Sequence, residues 1–368
     1  MNHFQQIPAD WLPPFCPNPN CLCHNAFSSR SDFKRHGYFT TRANAKRIPR
    51  FLCKRCHRSF SRQTFSTTYW QKRPLLDSQI FMILVGCMGN RQIARAIGVC
   101  HETIARHVAR IGRHCLARSA NLLAGRTPFS HIVVDGFESF EYSQFFPLHH
   151  HLAVDKSSGF FIYFTDSELR RKGGMTADQR RHRAVLEEEL GRPDPKAIQK
   201  DMAEVLQVSL KGALSATVYS DRHSAYPGSL KQVAGTVTHL RTDSRLHRGI
   251  HNPLFEVNRL DLLIRHGSSN HKRETIGYSK RRQASAERLA IQQLWLNTMK
   301  WRSENRPGRT PAMELGWLDH RLEVPEILNE RLFRHHIALP PRWAQYYERS
   351  VDTRAIDHNR RHALTYAF

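Results

Sequence analysis

The chain has 368 residues, 40% of them apolar, which suffices for a sizeable core and two or three folded units and excludes a disordered tail. Lys and Arg number 56 against 32 Asp and Glu, a formal charge of +24 spread along the chain, so nucleic acid is the expected partner and a membrane surface is not. The longest apolar run, residues 80–87, is too short to span a bilayer, and the first residues lack a secretory pattern, so a cytoplasmic protein in a reducing compartment is expected.

Residues 1–66 are rich in Pro, Asn, Ser, Cys and aromatics and have almost no helical period, which suits a loop-rich module built around an ion. Cys16 and Cys21 flank Pro-Asn-Pro-Asn, and Cys53 and Cys56 flank Lys-Arg. Two such turns can complete a tetrahedral, structural Zn²⁺ site. Cys23, His24 and His57 are close enough in sequence to replace one ligand. Cys87, Cys100 and Cys115 fall in apolar helical patterns and read as core thiols.

Residues 67–119 turn to helical spacing, with Ile80, Leu84, Ile93, Ile97, Ile104, Val108 and Ile111 in phase. Within RQIARAIGVCHETIARHVARI (residues 91–111), small Ala94, turn-forming Gly98 and inward Ile104 and Val108 predict a helix-turn-helix. His101, Glu102, Thr103 and Arg106 would face outward, with Arg106 and Arg110 reaching phosphates or bases in a major groove.

After a connector at residues 125–128, β-branched and aromatic runs at 131–135, 151–155 and 160–164 predict an antiparallel meander that turns at 156–159. Helices over 177–190 and 196–210 precede a strand ending at Asp221 and a weaker strand at 237–240. Asn252 and Pro253 open a helix carrying FEVNRLDLLIRH, and a long helix over 283–300 closes a unit spanning 131–302. Residues 303–368 mix prolines with short helical pieces and receive no role from the sequence.

Asp135 and Asp221 each end an expected buried strand, and 34 residues separate Asp221 from Glu256 in the first turn of a helix. Such hard oxygen ligands suit two divalent cations about 3.5–4 Å apart, one activating the attacking oxygen and one stabilising the leaving oxygen. Glu287 is the rival third carboxylate, and Asp155 and Glu138 are weaker competitors.

On CPNPNC with CKRC, RQIARAIGV, VVDG, YSDRHSAYPGSL and NPLFEVNRLDLLIRHGSSNHKRETIGYSK, the chain resembles the DDE-type transposases of prokaryotic insertion sequences over about residues 15–302. The resemblance implies an α/β fold, a ribonuclease-H-like mixed sheet flanked by helices behind a small zinc ribbon and a helix-turn-helix unit. It implies Mg²⁺- or Mn²⁺-dependent cutting of double-stranded DNA at element ends, then attack of the freed 3′-hydroxyl on target DNA without a covalent protein–DNA intermediate. Glu256 is similar to the Glu of an Asn-x-x-x-Glu-x-x-x-Arg-like helix, which is why it is preferred to Glu287. Arg259 and His223 become candidates to touch the scissile phosphate. Pairing two DNA ends implies a homodimer or larger assembly on the nucleoid of a prokaryotic cytosol. The chain departs from the family in its extra basic helical sequence between the third and fourth strands and in its long tail.

Two other readings compete. His149 and His151 form a His-x-His on one strand face, which a single-strand nuclease would use for one metal, with Tyr142 or Tyr163 as nucleophile. A DNA-binding regulator with an inactive carboxylate domain is the other.

Overall fold

A computed structural model of the chain describes residues 11–25, 30–42, 45–272, 275–305 and 308–354. The N-terminal elements are α1 (Leu22–Asn25), β1 (Phe33–Thr40), β2 (Arg47–Cys53) and β3 (Ser59–Ser61). Three helices follow, α2 (Leu76–Val85), α3 (Asn90–Ile97) and α4 (His101–Leu123). The central region contains β4 (His131–Phe140), β5 (Pro147–Asp155), β6 (Phe161–Glu168), α5 (Ala177–Leu190), α6 (Ala197–Ser209), β7 (Ser215–Ser220), α7 (Tyr226–Leu230) and β8 (Thr236–Arg241). It is closed by α8 (Phe255–Gly267) and α9 (Arg282–Thr298), and the last described part holds α10 (Pro311–Glu314), α11 (Val324–Ile327) and α12 (Pro341–Glu348).

The first sheet is an antiparallel β1-β2-β3, but β3 pairs only with Arg50–Leu52 of β2, so the outer half of the β1–β2 hairpin stands free as two strands. Its small core gathers Phe33, Phe51, Phe60 and Phe65 around the cysteines, with Phe333 arriving from far along the chain. So short a sheet has little core of its own, and Phe333 adds to it from far along the chain.

The fold is α/β, with a mixed five-stranded sheet in the order β6-β5-β4-β7-β8 flanked by helices. β4, β5 and β6 form the expected meander, while β7 and β8 run parallel to β4. The Val, Ile, Phe and Tyr runs of β4 to β6 are buried on both faces, as a sheet covered on both sides requires. β4 does not end at Asp135. It continues through Phe140, because β5 starts at Pro147 and pairs with it along its whole length. Asp135 is therefore a mid-strand residue, and only Asp221 follows a strand end.

α8 and α9 cover one face, where the Arg265 guanidinium lies over Phe137 and Gln293 and Asn297 bond the carbonyl of Phe161. α6 covers the other, with Thr165 of β6 donating to the Asp201 carbonyl. The extra helix α5 has no buried residue. Asn252 does not lie in the first turn of α8. Its Oδ1 accepts the Leu254 amide at 2.8 Å and so shapes the turn before the helix.

α4 runs 23 residues, well past the expected recognition helix and across residue 119. It crosses α9 at Gly112, where a Cβ would sit 2.7 Å from the Glu287 carbonyl oxygen, so only glycine allows the two backbones this close.

Residues 308–354 tie the molecule together. Trp343, Tyr346 and Tyr347 are buried against the sheet and α4, and Arg113 of α4 donates to the Tyr347 carbonyl at 2.6 Å. Arg331 donates to the Thr64 carbonyl, Thr67 to the Leu328 carbonyl, and His114 of α4 bonds the Ile327 carbonyl. Among the described residues, no helix is long and apolar enough to cross a membrane.

Candidate metal centres and nucleic-acid interface

Among the described residues, one group of three or more His, Cys, Asp or Glu side chains is placed to hold a metal ion: Cys16, Cys21, Cys53 and Cys56, with all sulfurs within 4.8 Å of one another. The Cys16–Cys56 and Cys21–Cys53 sulfurs are 3.6 and 3.7 Å apart. Four Zn–S bonds of about 2.3 Å at tetrahedral angles require about 3.8 Å, so the four cysteines can hold zinc. The substitutes have other tasks. His24 uses Nδ1 on the Cys16 carbonyl at 2.7 Å and packs its ring on His336, and Cys23 lies buried beside the group without belonging to it.

In the helical unit, α3 ends at Gly98 with φ +73°, and Gly98 and Val99 amides both return to the Ala94 carbonyl. Ile93, Ile104 and Val108 are buried and hold the two helices together. His101, Glu102 and Arg106 are exposed, Thr103 is half-buried, and Arg106 donates to the Thr103 hydroxyl. An open cleft beside them is lined by Arg73, Arg91, Arg95, His101 and Thr103. Arg110 does not join this surface. Its guanidinium turns inward to the carbonyls of Tyr69 (2.6 Å) and Thr67 (3.2 Å), and burial lowers its pKa to about 10.

On the sheet, His131, Ile132 and Val133 of β4 pair with Thr217, Val218 and Tyr219 of β7. Continuing that register by two residues sets Asp135 beside Asp221. Burial, reinforced by the negative charges of Asp221 and Asp261, pushes the Asp135 carboxyl up to about 7, with Arg248 acting in the opposite direction. Burial raises the Tyr226 phenol well above its usual range, and the charges of Asp135 and Asp221 add to that effect. The Asp221 Oδ1 accepts the His223 amide at 2.9 Å, which orients the carboxylate at the strand end.

α8 carries two acidic side chains over this part of the sheet, Glu256 and Asp261. The helix runs along β4, from Glu256 beside the β5–β6 turn to Arg265 above Phe137. Glu256 lies at the low end: its Oε2 would be 2.7 Å from a Cβ at Gly159, and its Oε1 accepts Arg302 at 2.7 Å. Arg259 is 3.7 Å from the same carboxylate and donates to the Arg302 carbonyl, which ties it into this corner. Asp261 stands five residues further on, about 7–8 Å along the axis, and it is the acidic residue of α8 whose charge acts on Asp135. Sequence reasoning passed over Asp261. The available signal was its phase, four residues after buried Val257 and three before buried Ile264.

Glu287 is not a solvated surface charge. It is 2% exposed between α4 and α9, where Gln283 Nε2 and Arg349 Nε each donate to its Oε1 at 3.0 Å. Asp155 caps the β5–β6 turn, accepting Ser157, Ser158 and the Ser158 amide. His149 and His151 are not on an exposed face. Their Nδ1 atoms are 3.2 Å apart, His151 Nε2 bonds Ser167, and burial lowers the His149 pKa to about 3. Tyr163 is fully buried and donates to Glu204 at 2.6 Å, while Tyr142 is exposed in the β4–β5 turn.

No protein-family model matches this chain, and no curated protein does. Among solved structures, it is similar to a chain of the simian T-cell lymphotropic virus intasome in complex with PP2A regulatory subunit B56 gamma. The identity is 14%, the match covers 65% of this chain and 74% of that one, and the TM-score is 0.24. So low a score carries no argument about function.

Proposed function

We propose that this chain is a DNA-cutting and DNA-joining enzyme of the DDE transposase type, with a ribonuclease-H-like catalytic unit over residues 131–302. A zinc ribbon over 1–66 and a helix-turn-helix unit over 67–119 precede it. The observation that carries this reading is the parallel register of β4 and β7 at the centre of a mixed sheet, which two residues beyond its last pair brings Asp135 level with Asp221, whose charge acts on it. Two half-buried carboxylates that repel one another favour a cation of high charge, and their oxygen donors suit Mg²⁺ or Mn²⁺. Both acidic residues of α8 are paired with guanidiniums, Glu256 with Arg302 and Arg259 and Asp261 with Arg265 at 2.9 and 3.0 Å; Asp261, whose charge acts on Asp135, is the candidate third carboxylate and would have to exchange Arg265 for the cation.

In this reading Asp135 and Asp221 would hold Mg²⁺ or Mn²⁺, which when bound would supply charge stabilisation to the attacking and leaving oxygens. Water attacks the scissile phosphorus, the P–O3′ bond breaks and the element end keeps its 3′-hydroxyl. That hydroxyl then loses its proton and attacks a target phosphorus, displacing the target's own 3′-oxygen. His101, Thr103 and Arg106 meet duplex DNA, and His223 stands beside the acid pair; Arg110 and Arg259 serve as internal ties instead. Two copies on paired DNA ends form the working assembly.

A strand-transfer assay with Mg²⁺ or Mn²⁺ on duplexes bearing candidate terminal repeats tests the proposal. Asp135→Asn and Asp221→Asn should each lower transfer at least about 100-fold while DNA binding persists. Metal-dependent products undiminished in both variants would refute it. An inert wild type that binds the same duplexes would leave a DNA-binding regulator.

A further inference from the structure

We propose that the free outer half of the β1–β2 hairpin is a second DNA-contacting surface, a two-stranded arm that lies in a groove of duplex DNA. Tyr38–Thr40 of β1 pair with Arg47–Pro49 of β2 beyond the reach of β3, and every residue of β1 from Lys34 to Thr40 is exposed. A ribbon of this kind fits a major groove. Residues 33–76 contain twelve Lys and Arg and no Asp or Glu, so the arm belongs to a strongly cationic stretch. Between these cations stand two exposed rings: Tyr38 is 50% and Phe39 37% exposed, with the Arg47 guanidinium 4.3 Å from the Tyr38 centroid. The register shifts between Arg35 and Tyr38, where Gly37 has φ +73°, the kind of irregularity that locally bends and twists a strand.

Cationic side chains on an edge strand also block edge-to-edge pairing, and that accounts for Lys34 and Arg35. It does not account for Tyr38 and Phe39, which would promote such pairing, nor for cations on both strands. Backbone phosphate for the cations and groove walls or bases for the rings explain the whole set.

The test uses the full-length, zinc-loaded protein and a short fluorescein-labelled duplex of arbitrary sequence, with the affinity followed against salt. Arg35→Ala/Arg42→Ala/Arg47→Ala should reduce the slope of log affinity against log salt by about 2–3, roughly 0.9 for each phosphate no longer neutralised. The slope reads binding and not strand transfer, so this surface is judged separately from the carboxylate chemistry. An unchanged slope in a triple variant that retains its zinc overturns the proposal. If the triple variant fails to retain zinc, phenylglyoxal modification of the wild type decides. Protection of Arg35, Arg42 and Arg47 by the duplex supports the arm, and equal modification with and without DNA overturns it.

Discussion

A carboxylate that folding leaves half-buried beside two others destabilises the chain wherever it must ionise, and Asp135 is such a group. Its folded pKa of about 7 lies above the usual carboxylate value, so the folded state holds its proton more tightly than the unfolded state. Relative to the fully protonated condition, stability is retained below the unfolded pKa of about 3.9 and falls as pH rises toward 7. Without divalent cations, Asp135→Asn should therefore leave the melting midpoint unchanged near pH 4. At pH 8 it should raise the midpoint by at least about 1–2 °C, the shift expected for each kcal/mol in a chain of this size. Thermal denaturation at the two pH values checks this, and a variant no more stable at pH 8 would mean the site carries no such strain.

The two helix-turn-helix arginines separate in the same way. Arg106→Ala should weaken duplex binding and leave stability within about 0.5 kcal/mol, as exposed substitutions do. Arg110→Ala frees the carbonyls of Thr67 and Tyr69 and should lower stability by about 1–3 kcal/mol. Denaturant unfolding beside an anisotropy titration distinguishes the two effects.

At the scale of elements, the buried network around Asp166 fastens α12 to the sheet and to α9. Asp166 meets Arg282 Nε at 2.5 Å and Arg342 NH1 at 3.2 Å, and accepts the Tyr346 hydroxyl. Burial alone would raise its pKa, but the two guanidiniums outweigh burial and hold the carboxyl well below the usual range. This stabilisation is present above the unfolded pKa and is lost only as pH falls through the lower folded value. Asp166→Ala strands two buried cations and should cost about 3–5 kcal/mol, read from urea unfolding at pH 7.

The elements themselves differed in how plainly the sequence announced them. β5, β6, β7, α5 and α6 were legible, because β-branched runs and Gly or Pro breaks mark them locally. The mid-strand setting of Asp135 was not, since GFESF beyond it has weak strand character and extends only because β5 lies opposite. The environment of Glu287 was also hidden. Its burial depends on Gly112 admitting α9 against α4, a close approach between residues 175 positions apart in the chain. Spacing led to Glu256, whereas Asp261 is the α8 carboxylate whose charge acts on Asp135.

At the scale of the molecule, residues 308–354 make the four-cysteine module, the helical unit and the sheet depend on one another. Phe333 enters the core around the cysteines, Phe15 packs on Phe333 and His336, and His336 bonds the His24 carbonyl at 2.9 Å. Chelating the zinc should therefore expose the backbone of residues 331–337 along with that of 47–61. Hydrogen exchange with mass readout checks this, and exchange confined to the N-terminal module would show that the tail does not depend on the ion.

The whole account depends on Asp135 and Asp221 sharing a divalent cation near Asp261. The direct measurement is a Mn²⁺ titration of the zinc-loaded protein, with free Mn²⁺ read by electron paramagnetic resonance in wild type, Asp135→Asn, Asp221→Asn, Asp261→Asn and Glu256→Gln. The expected result is a Mn²⁺ site in wild type that is lost in the first two variants, weakened in the third and kept in the fourth. Undiminished Mn²⁺ binding in both Asp135→Asn and Asp221→Asn would contradict it.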